Sequence, residues 1–132
     1  MSRKPEFDWV KSRAACTLME VFNQLCETIE GDVTTINSLR KLSEADDSFW
    51  RADMSEDGAA IVVAQPKRIP RAKTVVAFAQ SRIDVRQDWN GGEEWSATVG
   101  LNDQGRCILR LKDGTELEQW QFRKRALEGL FF

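Results

Sequence analysis

The sequence predicts an α+β fold in a single domain, and three observations carry that prediction. Apolar residues recur at helical spacing near the N-terminus, short β-rich runs punctuated by turn residues fill the middle, and residues 115–132 return to helix-forming composition. A chain of 132 residues has the length of one ordinary domain, so the expected unit is 1–132. Hydrophobic residues at 42% and charged residues at 30%, both signs interspersed, suit a chain that builds its own core.

The first element is an amphipathic helix from about Asp8 to Glu30. On a helical wheel Val10, Ala14, Leu18, Val21, Phe22, Leu25, Cys26 and Ile29 share one half, with Met19 at its edge, and Arg13, Thr17, Glu20, Asn23, Gln24 and Glu27 fill the other. Such an arc is wider than the ~100° stripe that meets one layer, so it predicts contact with a sheet and with a second helix or a partner protein. Gly31 is the expected stop. Asp32 then caps a shorter helix carrying Val33, Ile36, Leu39 and Leu42, unless VTTI forms a brief strand. Residues 43–58 hold six acids and one arginine around a strand-like core at Phe49 to Met54, and read as a solvated acidic margin.

Beyond it, AAIVVAQ, TVVAFAQ, RIDVR, EWSATVGL and RCILRLK predict an antiparallel sheet of about five strands, joined by turns rich in Pro, Asn, Asp and Gly. QPKRIPRAK, residues 65–73, falls at the tip of a hairpin. After Asp113-Gly114 the chain either turns into a last strand or opens a helix through a Thr115/Glu118 capping box, with Leu117, Trp120, Leu127 and Leu130 inward. Helix propensity favours the second, giving a C-terminal helix packed on one face of the sheet.

The chain has no histidine and no tyrosine, and lacks the glycine patterns that cradle phosphates or present a nucleophilic serine. Those absences argue against His-based acid/base and nucleophile chemistry and against most zinc sites. No catalytic residue, metal, cofactor or small-molecule substrate is therefore expected. Cys16, Cys26 and Cys107 are odd in number and lack a framework spacing, which predicts free thiols in a reducing compartment. The longest apolar runs are too short for a membrane helix, and cytoplasmic residence follows as the expectation.

Binding remains, and the five tryptophans direct attention to it. Trp50, Trp95 and Trp120 fall in core patterns. Trp9 projects on the polar side of the wheel, either before the helix begins or on display. Trp89 precedes Asn90-Gly91-Gly92 and either caps the sheet end or stacks on a ligand. The expected function is a non-catalytic cytoplasmic interaction module, such as an adaptor, chaperone-like or inhibitor subunit of a larger assembly. Its partner is another protein or a second copy in a homodimer, met by Trp9, Met19, Phe22, Cys26 and Trp89. The alternative is a nucleic-acid-binding accessory using Lys67, Arg68, Arg71 and Lys73 of the basic hairpin, with Arg82 and Arg86. Against it stands a net charge of -2. The terminal Gly129-Leu130-Phe131-Phe132 is expected to tuck into the core.

Overall fold

A computed structural model of the chain describes residues 6–68 and 72–132. Helix α1 spans Trp9–Ala15 and α2 spans Leu18–Leu39. Seven strands follow: β1 Arg51–Met54, β2 Ala60–Ala64, β3 Lys73–Ala79, β4 Arg82–Asp88, β5 Glu94–Leu101, β6 Cys107–Leu111 and β7 Glu116–Leu117. Helix α3, Gln119–Phe131, closes the order. All seven strands pair antiparallel in sequence order, a plain meander. The α+β class stands, with the count of about five corrected by β1 and the two-residue β7. Both choices weighed after Asp113-Gly114 occur in succession, a short strand and then a helix.

The expected first helix is in fact two. Thr17 leaves helical geometry, and its Oγ1 accepts from the Glu20 N–H at 3.2 Å, so α2 starts afresh there. Helix α1 buries no residue at all, which removes Val10 and Ala14 from the expected arc. At the other end α2 runs through Gly31 to Leu39. The buried stripe Phe22, Leu25, Cys26, Ile29, Val33 and Ile36 continues at i+3/i+4 spacing across the glycine, and burial outweighs the ~1 kcal/mol helix cost of glycine. Asp32 is thus no cap. Its carboxylate takes the Arg123 Nε–H at 2.7 Å.

The sheet has one buried face. Ile61, Val63, Val76, Ile83, Val85, Ala97 and Leu109 alternate inward along β2 to β6 and meet α2 and α3. Three links between the helices, Gln24 to Gln119, Asp32 to Arg123 and Arg40 to the Phe131 carbonyl, rise together along both chains, so α2 and α3 lie side by side and parallel. Thr74 Oγ1 and Gln87 Nε2 donate to carbonyls of Ala126 and Arg125, fastening α3 to the sheet. Asn37 exchanges two 2.9 Å bonds with the backbone of Trp50, fastening the end of α2 to the start of β1.

Helix α3 buries Phe122, Ala126, Leu127 and Phe131, and the expected Leu117 and Leu130 pack partly buried against the core, so of the expected inward set only Trp120 departs. The cap lies three residues later than the Thr115/Glu118 box, with Gln121 Oε1 accepting from the Glu118 N–H at 2.8 Å. That register puts Leu117 in β7 and leaves Trp120 outside, 55% exposed. The tail is divided. Phe131 packs edge-on against Trp50 at 5.0 Å, whereas Phe132 is 86% exposed.

The cysteines also depart from expectation. Cys16 and Cys107 form a disulfide, and only Cys26 is a free thiol. Spacing in sequence gives no hint of a pair 91 residues apart, brought together because α2 and β6 begin at the same end of the sheet.

Candidate functional site

Parallel helices on a meander give the molecule two poles. One pole gathers α1, the disulfide and the turn between β5 and β6, where the Phe7 ring lies against Gly105. The other gathers the C-terminal ends of α2 and α3, the start of β1, the hairpin loop after β2 and the turn after β4.

The residues expected to meet a partner are scattered over this plan. Trp9 and Met19 belong to the first pole and are exposed. Phe22 is 2% exposed and packs edge-on against Phe78 at 5.7 Å, and Cys26 is buried on the same stripe. Both are core residues, because the wide arc of α2 is used up by the sheet on one flank and α3 on the other. Burial, with Glu30 nearby, pushes the Cys26 thiol up to about 11, so it stays protonated at neutral pH. Trp89 lies at the second pole, half-buried, with its ring Cζ2 3.4 Å from where a side chain on Gly129 would begin.

The basic residues are scattered too. Lys67 and Arg68 are exposed in the hairpin loop at the second pole, Lys73 opens β3, and Arg71 lies outside the described residues. Arg82 and Arg86 stand instead on the open outer face of the sheet. Arg82 pairs with Asp84 at 2.7 Å, and Arg86 is in register with Glu94. That face reads as a solvated charge ladder, continued by Arg110 on Glu116 at 2.9 Å.

Two concavities stand out. The first is a groove between α2 and α3 on the side away from the sheet, about 300 Å³ in volume. Ile36 and Leu127 lie at its base, and Leu39 (74% exposed), Trp120 and Phe132 stand out along it. Its charges are balanced, Asp32 against Arg123 and Lys124 against Glu128.

The second is a pocket of about 520 Å³ at the second pole. Its walls include Arg40, Arg68, Gln65, Trp50, Trp89 and Phe132, and among the described residues no Asp or Glu side chain lines it. The buried Gln65 donates to the Ser48 carbonyl at 2.9 Å and accepts from Arg68 at 3.2 Å. The Arg40 guanidinium bonds the Phe131 carbonyl and lies over the Phe132 ring, 5.3 Å from its centroid. Trp50, at the wall, has a buried indole N–H without an acceptor.

Comparison with protein-family models, with curated proteins and with solved structures returns no match for this chain. Its function has to be read from its own side chains. Among the described residues no helix is long and apolar enough to cross a membrane. The groove could not be found by sequence pattern, since Trp120 and Leu39 both fit a core register. The one available signal was the capping residue Glu118, which fixes the turn of α3.

Proposed function

We propose that this chain is a non-catalytic protein-interaction module that self-associates through the α2–α3 groove. The observation that carries the proposal is the concentration of Leu39, Trp120 and Phe132, all large and mostly exposed, around a single apolar depression. Isolated exposed apolar residues are ordinary on a protein surface, but a contiguous apolar patch marks a contact site. The surface offers both protrusions and a hollow, and its rim carries two charges of each sign, so two copies brought face to face meet no net charge repulsion. A second copy is the occupant these features favour. As a dimer the module would serve as an adaptor, chaperone-like or inhibitor subunit. The Cys16–Cys107 disulfide favours an oxidising compartment over the cytoplasmic residence expected from free thiols.

The test is a photo-crosslinking amino acid placed at position 120, followed by mass spectrometry. The proposal predicts chain-to-chain crosslinks mapping to α2 and α3. Absence of chain-to-chain crosslinks, or crosslinks confined to the outer sheet face, would refute it.

A second reading, nucleic-acid binding at the 65–73 hairpin, is favoured by one observation: Arg68 shares its pocket with Arg40 and Trp89.

A further inference from the structure

The arginines among the described residues differ in their partners. Arg51, Arg82, Arg106, Arg110, Arg123 and Arg125 each pair with a carboxylate within 3.7 Å. Four others have no such pair: Arg13, which bonds the Cys16 carbonyl at the first pole, Arg86 on the outer sheet face, and, together in one pocket, Arg40 and Arg68. The last two are held by neutral oxygens, the Phe131 carbonyl and the Gln65 amide, and among the described residues no carboxylate comes within ion-pair distance of either. A neutral acceptor fixes a guanidinium without cancelling its charge, and each keeps further N–H groups for a second partner.

These two guanidiniums line the same pocket, in a chain with more acids than bases. The anchors are firm: Gln65 is buried and tied to Ser48, and Arg40 is wedged between the end of α3 and the Phe132 ring. Arg40 also offsets the negative carbonyl end of α3, which would otherwise repel an anion. Beside the cations stand the half-buried Trp89 and the exposed Phe132, with the buried Trp50 behind them. Guanidinium forks match phosphate oxygens, and indole and phenyl faces take flat rings. A volume of about 520 Å³ falls within the usual range of small-molecule pockets.

We infer that this pocket binds a flat aromatic ring carrying a phosphate, as in a nucleoside monophosphate, free or at the end of a single strand. The pocket shares Phe131 and Phe132 with the groove, so binding is measured with and without self-association, and the inference narrows the hairpin reading to a defined site. If a strand binds through Lys67 and its neighbours with no need of Arg40, the inference fails while the hairpin reading survives.

The experiment is a titration of the full chain followed by tryptophan fluorescence and calorimetry. The probes are adenosine monophosphate, adenosine, inorganic phosphate and a short single-stranded oligonucleotide with a 5′-phosphate. Saturable binding of the monophosphate is expected, with adenosine and phosphate each at least about tenfold weaker. A tighter oligonucleotide would identify the strand end as the source, and a tighter monophosphate the free nucleotide. Arg40→Gln with Arg68→Gln should weaken binding by at least about tenfold, while Arg82→Gln with Arg86→Gln should leave it unchanged. Both pairs are solvent-facing, and circular dichroism checks that each variant folds. No binding of any probe overturns the inference, and so does equal loss from the two pairs, which would mean diffuse charge attraction. Repeating the titration on Leu39→Asp keeps it separate from self-association.

Discussion

Phe22 and Met19 sit three residues apart on α2 and have opposite surroundings, which a helical wheel alone does not reveal. Phe22 is 2% exposed and Met19 62%, so Phe22→Ala should cost about 3–5 kcal/mol of stability and Met19→Ala no more than ~0.5. Denaturant titration of the two variants checks this. The arc was legible because burial repeats at the helical period, but which of its residues stay outside depends on α3, whose register no local pattern sets. Cys26 makes a second test. Native protein should show no thiol reactive toward an aromatic disulfide reagent at neutral pH, unfolded unreduced protein one, and reduced unfolded protein three. A thiol whose native value is raised from 9.0 to about 11 binds its proton more tightly in the folded state. Stability should therefore fall as pH climbs from about 9 toward 11. The carboxylates act in the other direction. Arg110 and Asn102 hold Glu116 below its ordinary value, so its contribution is present at neutral pH and is lost on acidification.

At the scale of elements, the continuity of α2 through Gly31 is open to a simple check. Apart from its own helix, no atom lies within 4 Å of where a side chain on Gly31 would begin, and its backbone is not left-handed, so Gly31→Ala should raise stability by roughly 0.5–1 kcal/mol. Had the helix ended there in a left-handed cap, alanine would destabilise instead. Gly92 is the contrast. A side chain there would meet the Gln87 carbonyl, and Gly92→Ala should cost about 1–3 kcal/mol, read from the same denaturation curves. The staple offers a third comparison. Removing Cys16–Cys107, which closes 91 residues, should cost about 2–5 kcal/mol and speed amide exchange in α1, a helix without a buried residue. Most elements were legible, since β-rich runs and turn residues mark the meander. The restart at Thr17 was also written in the sequence, as Thr17-Leu18-Met19-Glu20, but the stronger apolar period on both sides hides it. Strand β7 is two residues long and carries no periodicity to read.

At the scale of the molecule, both candidate surfaces are products of topology. The second-pole pocket draws on residues far apart in the chain: Arg40, Trp50, Gln65, Arg68, Ala72, Trp89 and residues 129–132. Of these the sequence flagged only the basic loop and Trp89. The neutral anchoring of Arg40 and Arg68 is a property of three-dimensional neighbours, and so is the exposure of Trp120. The groove carries the central claim, and sedimentation velocity over a wide concentration range tests it most directly, comparing wild type with Leu39→Asp/Trp120→Ala. Both substitutions lie on the surface and should leave the circular dichroism spectrum intact. The account predicts a wild-type dimer and a monomeric variant. A wild type that stays monomeric at every concentration, or a variant that dimerises as well as wild type, would contradict it.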